Sequence, residues 1–267
     1  MSFFKQFPKI SYDFDRNGIL QNVVNIYKSV RPLKAFEDNL NTYTFYEVKN
    51  GERPDIVSQR LYGSTRFYWT FFILNDFLHD GLAAWPMSQE KLQQYIADEY
   101  SGIVINTNPI IVRDTDNSIT DHRNSLAGRF TLGETITGGT SGATGTLHKK
   151  DLDLNQLVLK NVTGTFLGDG GGVSESLTGG TSNDSVGTYQ VFKYIDAPHH
   201  YYRTDDPDKR LQSNAVFVEG GVASGQLSYD TNRAYLEDTN ELRSKLKVVD
   251  PKYIRQFADE FEDMLNG

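Results

Sequence analysis

The segment Tyr43-Thr44-Phe45-Tyr46-Glu47-Val48-Lys49 is aromatic and β-rich and reads as a strand, and Asn50-Gly51 is a strong turn signal behind it. Pro54 suits a first helical turn, Asp55 favours the positive end of the helix dipole, and Gly63 is a natural stop. They frame a short helix burying Val57, Leu61 and Ile56. Ser64 or Thr65 caps a second helix whose Phe67, Tyr68, Trp69, Phe71, Phe72, Ile73 and Leu74 are apolar nearly all round, so it is buried on most sides. A third helix starts near Ser88 and buries Leu92, Tyr95 and Ile96. At the far end, Asp250-Pro251 is a cap and a good first residue, and Ile254, Phe257, Ala258, Phe261 and Leu265 recur at helical spacing. Arg255, Gln256, Asp259, Glu260 and Asp263 fill the opposite face, so this amphipathic helix packs on its own domain or on a partner.

Residue usage changes along the chain. Of the 33 aromatic residues, 20 lie in residues 1–100, whereas 14 of the 23 glycines lie in residues 128–187. Aromatics build dense cores and glycine supplies tight turns, so an inserted domain of different architecture is expected there. The insert contains a repeat: Glu134-Thr135-Ile136-Thr137-Gly138-Gly139-Thr140-Ser141 recurs as Glu175-Ser176-Leu177-Thr178-Gly179-Gly180-Thr181-Ser182, identical at six of eight positions. Each copy follows a Phe (Phe130, Phe166) and precedes a Gly-Thr pair. Between them Leu152, Leu154, Leu157 and Leu159 keep mostly the two-residue period of a half-buried strand. The expected organisation is an arm over 1–42, a core over 43–100, a linker over 101–127, a glycine-rich all-β insert of two similar halves over 128–190, and a segment over 191–267 ending in the amphipathic helix.

Charge narrows the partners. With 27 basic against 35 acidic residues the formal charge is -8, and residues 1–42, with six basic and four acidic, are the only net-positive stretch of that division. Phosphate recognition needs concentrated Lys and Arg, so neither a nucleic acid nor an anionic membrane is expected as partner. The absence of Cys excludes disulfides, thiol nucleophiles and Cys-type zinc sites. No apolar run approaches the roughly 20 residues of a membrane span, and the first residues lack a secretory pattern. A soluble protein kept in a cytoplasm is expected.

Candidate chemistry is sparse. His199-His200 with Asp196, Asp205 and Asp206 nearby contain metal-ligand types, but strand neighbours point to opposite faces and the segment is rich in turn formers, so a solvated loop is expected. Asp114-x-Asp116-x-Ser118 starts like a calcium loop but has Ile119 at the sixth position and Ser125 at the twelfth. Gly168-Asp169-Gly170-Gly171-Gly172 reads as a hairpin tip, since no Gly-Lys-Ser/Thr follows it. Glu134 and Glu175 have the residue type of paired glycosidase carboxylates, yet repeat symmetry accounts for both. An aromatic cluster such as Phe67–Phe72 at helical spacing is usually core; Trp69 and Trp85 are the candidates for exposed anchors. No catalytic residue, cofactor or metal is expected.

The residues Tyr46-x-Val48-Lys49-x-Gly51, Leu61-Tyr62-Gly63 and Asn75 resemble a LysM domain, whose βααβ fold shares that turn, that helix end and that Asn. After Gly51 this chain has Glu52-Arg53-Pro54-Asp55 where the LysM family has Asp-Thr-Leu. The longer pattern Gly51-Glu52-Arg53-Pro54, Leu61-Tyr62-Gly63, Tyr68-Trp69, Asn75-Asp76, Trp85 and Ser88-Gln89-Glu90 resembles the LysM-like core of the gene 53 baseplate wedge protein of T-even-type phages, and Tyr235–Lys247 resembles its C-terminal part. The fold class implied is α+β: a LysM-like βααβ core with helical flanks, carrying the inserted β domain. The function implied is a structural subunit of a contractile-tailed phage baseplate wedge. It would be assembled in the host cytoplasm and meet other wedge subunits in a six-fold assembly, with Trp69, Trp85, Ile254, Phe257, Phe261 and Leu265 as candidate partner contacts. The alternatives are a peptidoglycan-binding LysM-type module and a cell-wall glycoside hydrolase.

Because Pro54 fixes φ in the turn where LysM modules carry Asp-Thr-Leu, the purified protein is expected to bind no peptidoglycan. Micromolar binding of chitin oligomers in calorimetry, abolished by changes in Glu52 to Asp55, would overturn this.

Overall fold

A computed structural model describes residues 7–25, 42–107, 111–113, 126–211, 216–218 and 227–266. The chain divides into two units, residues 1–92 with 238–267, and residues 93–237.

In the first unit most of the local signals act as expected, although Ile56, expected in the buried face of the first helix, is exposed. The strand β3 (Tyr43–Glu47) leads through Asn50-Gly51 into α1 (Pro54–Tyr62), which has Pro in its first turn and ends where Gly63, at φ 66°, donates its N–H to Gln59. The aromatic run is helical over only six residues, α2 (Trp69–Leu74), preceded by a 3-10 turn capped by Ser64. In α3 (Gln89–Glu99) Leu92 and Ile96 are buried, whereas Tyr95 is exposed.

The βααβ core with helical flanks expected over 43–100 does not form. No second strand follows α2 in sequence, because the chain continues through α3 into the barrel described below. The partner of β3 is instead β15 (Lys245–Val249), antiparallel from Lys245↔Glu47 to Val249↔Tyr43. The molecule is mostly β, with a closed six-stranded barrel and five short helices among the described residues. Asn75 ties the distant strand to α2: its amide donates to the carbonyls of Phe71 and Lys247, while its Oδ1 accepts from the Lys247 N–H at 2.8 Å. Behind this ribbon, Val57, Phe71, Leu78, Trp85, Leu246 and Val248 form one core cluster. Glu52, in the loop before α1, is buried. Its carboxylate accepts from Tyr46 Oη and the Lys49 N–H and pairs with Arg60, while its carbonyl accepts from Trp85 Nε1 at 2.7 Å.

The final helix, α5 (Ile254–Asn266), lays its whole apolar stripe on the same unit. Ile254, Phe257, Ala258, Phe261 and Leu265 pack with Trp69 and Val249, and the Trp69 ring lies 4.8 Å from Phe261 and 6.3 Å from Phe257.

The second unit is built on a closed antiparallel barrel. Its strands are β4 (Ile103–Thr107), β6 (Thr135–Gly138), β7 (Thr144–Asp151), β8 (Gln156–Thr163), β9 (Ser176–Gly179) and β10 (Ser185–Lys193), in the order β10-β4-β8-β7-β6-β9. The leucines expected on one strand belong to a hairpin: Leu157 and Leu159 lie in β8, whereas Leu152 and Leu154 sit in the turn before it. Leu157 and Leu159 fill the interior with Ile105, Phe130, Ile136, Leu147, Phe166 and Leu177, and Leu152 packs against them. Outside the barrel, β11 (Pro198–Arg203) pairs with β12 (Asp206–Leu211) and β14 (Leu227–Thr231), and α4 (Asn232–Ser244) follows. A short parallel pair joins β5 (Ile111–Arg113) to β13 (Val216–Val218).

The repeat acts as a local two-fold. In the β6–β9 pair Thr137 faces Thr178, its own counterpart in the other copy. Each copy's Glu then reaches across to the other copy's turn. Glu134 accepts from the Thr181 and Ser182 N–H groups and from Ser182 Oγ, and Glu175 does the same with Thr140 and Ser141. Each also accepts from one N–H on its own side, Thr131 for Glu134 and Leu167 for Glu175. The glycines are required for this: a Cβ on Gly138 would stand 2.6 Å from Glu175 Oε2, and one on Gly179 would stand 2.8 Å from Glu134 Oε1.

Truncating two buried Phe side chains costs about 3–5 kcal/mol each, comparable to a domain's whole stability, so Phe257→Ala with Phe261→Ala is expected to abolish cooperative melting of the first unit in calorimetry. For the barrel, burial pushes the Glu134 and Glu175 pKa values up, but their N–H and hydroxyl donors outweigh it and hold both below the usual glutamate range. Their ionised form therefore stabilises the fold fully above the unfolded value of about 4.3, and this contribution is lost as pH falls through the lowered folded values. Glu134→Ala is expected to cost roughly 3 kcal/mol at pH 7, since charge-assisted bonds contribute about 1.5–3 kcal/mol each, and to flatten the acid limb of the stability curve. Urea melts at pH 7 and below pH 4 check both.

Candidate functional site

The two glutamates have no spare chemistry. A carboxylate saturated by donors and held ionised is a poor general acid, and each Glu points into the opposite copy's turn rather than into a cleft. The glycine-rich tip is likewise self-contained: Asp169 Oδ1 accepts from the N–H groups of Gly171, Gly172 and Val173, so an anion of the chain already occupies that nest. Asp114, Asp116 and Ser118 lie outside the described residues. Among the described residues no three metal-ligating side chains converge, and no helix is long and apolar enough to cross a membrane.

The histidine pair departs from expectation. His199 and His200 are not on a solvated loop but within β11, and the His200 side chain is only 12% exposed. Nor do they point to opposite faces. The β11–β14 register shifts between Pro198, which faces Thr231, and His200, which faces Asp230, so the extra residue His199 is accommodated in a bulge. The two Nδ1 atoms are hydrogen-bonded to each other at 3.1 Å, one ring donating its N–H to the other. Burial lowers both imidazole pKa values, helped by Arg210 and, for His199, by His200.

All six candidate contact residues are buried within the first unit: Trp69, Trp85, Ile254, Phe257, Phe261 and Leu265. Ile254 also contributes to a groove of about 610 Å³ between the end of α1 and the start of α5. Tyr62, Phe67 and Ala258 line it with Ile254, while Arg66, Lys252, Arg255 and Asp259 stand exposed around it. None of these three cations is in an ion pair among the described residues. The groove's surroundings are therefore net positive on a chain of net charge -8. Tyr62, Gly63, Ser64 and Phe67 were visible in sequence as helix signals and aromatic core, and Ile254, Arg255, Ala258 and Asp259 as faces of the final helix, but nothing there brought the two sets together.

The N-terminal arm offers the second surface. The strands β1 (Lys9–Tyr12) and β2 (Gln21–Val24) form a hairpin. Its tip is fixed by the Asp13 carboxylate, which accepts from the Asn17 and Gly18 N–H groups. Ile10, Tyr12, Phe14, Ile19 and Leu20 project from it, 41% to 67% exposed. Asn17-Gly18 between two β-rich runs was the available signal.

These surfaces suit attachment to other proteins. No curated protein matches the chain. Residues 1–119, which include the arm, β3 and α1 to α3, match the phage family described as base plate wedge protein 53, so over this stretch the chain is similar to a structural component of the phage tail baseplate.

Proposed function

We propose that the protein is a non-catalytic structural subunit of a contractile-tail baseplate wedge, joining neighbouring wedge proteins of a six-fold virion assembly formed in the host cytoplasm. The observation that carries this reading is the arm. An isolated two-stranded hairpin is marginal in water, and this one exposes five large apolar side chains from a pinned tip, within the stretch that matches the wedge family. Such a hairpin gains stability when a partner covers it, and its strand edges, unpaired among the described residues, suit a further strand.

The groove complements the arm. Its apolar lining and Arg66, Lys252 and Arg255, unpaired among the described residues, suit a segment that presents apolar residues flanked by carboxylates. Trp69, Phe257 and Phe261 serve beneath it as the packed support that holds Ile254 and Ala258 in place.

The test is co-purification with the other proteins of the same baseplate wedge. Phe14→Asp with Leu20→Asp, and separately Arg66→Glu with Arg255→Glu, are expected to weaken partner capture at least tenfold. Because these side chains are exposed, melting temperature should change little, surface substitutions usually staying within about 0.5 kcal/mol. Undiminished capture by both variants would overturn the reading.

A further inference from the structure

We propose that His199 and His200 form a two-imidazole chelate for a divalent transition metal of the Zn²⁺ or Cu²⁺ class, a site independent of the docking surfaces. Adjacent residues of a regular strand cannot share a metal, because their side chains leave opposite faces. The bulge removes that obstacle by placing two residues of β11 within one step of β14. At metal–nitrogen lengths of about 2.0–2.1 Å, two nitrogens bound at angles between square-planar and tetrahedral lie about 2.9–3.4 Å apart. The observed Nδ1···Nδ1 separation of 3.1 Å falls in that interval.

The surroundings fit a ligand pair. His200 Nε2 lies 3.4 Å from Asp230 Oδ2, so a carboxylate backs the imidazole on the side away from His199, the arrangement that orients metal-binding histidines and raises their basicity. The His199 ring stacks on Tyr235 at 3.7 Å with an interplanar angle of 11°, which fixes its plane. Arg210 is the nearby opposing charge, and Asp151 and Asp230 act against it at His199. His199 also lines a polar cavity of about 150 Å³ with Tyr100, Asp151, Gln156, Tyr194 and Asn232, and Lys149 places a second cation beside Asp151 in its wall. The cavity leaves room for several waters to fill the remaining coordination positions. Borderline metals that accept imidazole suit this donor set, and without a thiolate or a third protein ligand the site is an exchangeable one.

The test uses the full chain, stripped with chelator and titrated with CuCl₂ or ZnCl₂ in calorimetry, with electron paramagnetic resonance of the one-equivalent copper sample. Expected are saturable uptake of one ion per chain and hyperfine structure from two imidazole nitrogens. His199→Ala and His200→Ala should each weaken binding at least tenfold. Asp230→Asn, which leaves both ligands in place, should weaken it about 10- to 100-fold. His148→Ala, at an exposed position of β7, should leave it unchanged. Should an Ala variant misfold, the wild-type copper spectrum and the Asp230→Asn titration still decide. No saturable uptake, as for a pair that only shares a proton, or a copper spectrum without two nitrogens, would overturn the proposal.

Discussion

The antiparallel pairing of β3 with β15 is the constraint on which the first unit depends. Its two strands are some 200 residues apart in sequence, yet Leu246, Val248 and Val249 of the later strand are completely buried. Leu246 and Val248 join Val57, Phe71 and Leu78 in one cluster, while Val249 joins Trp69 and the α5 stripe in the other. Without β15 neither cluster closes. Asn75 carries the polar side of the same junction, since its amide satisfies both the N–H and the carbonyl of Lys247. A buried amide of this kind is costly if left unpaired, so it selects one register for the returning strand. Loop-closure entropy grows only slowly with loop length, which is why so large an excursion between the two strands is tolerable.

The second unit reaches closure by different means. Its β6–β9 contact brings together two copies of one short sequence, and the copies exchange carboxylates as well as strand bonds. A turn of the Gly-Gly-Thr-Ser type leaves inward-facing N–H groups that need an acceptor, and each copy supplies it to the other. Six strands closed on themselves leave no free edges in the barrel, so in this unit the surfaces open to partners come from what is attached outside it. The histidine bulge belongs to that outer layer.

Function follows from what each unit leaves uncovered. In the first unit the aromatic side chains that looked like anchors are spent on the interior, and its outer surface carries, among other exposed apolar side chains, an apolar hairpin and a cation-edged groove. Both suit attachment to other proteins, and both belong to a chain whose first 119 residues are similar to a baseplate wedge protein.

Much of the local structure could be read from the chain. Pro54 and Gly63 bracket α1, Asp250 precedes α5, and the spacing of Ile254, Phe257, Phe261 and Leu265 selects its buried face, because each effect acts within a few residues. Repeat identity likewise exposed the pairing of Glu134 with Glu175 as symmetric positions. What covers the α5 stripe was not readable, since amphipathic spacing specifies a face and not its occupant. The βααβ expectation failed for the same reason: the motif around β3 and α1 calls for a second strand, but only tertiary packing decided that it comes from residues 245–249. The histidines show the limit most sharply. A strict two-residue strand period sends neighbours to opposite faces, and a single register shift against β14, invisible in sequence, set their Nδ1 atoms 3.1 Å apart.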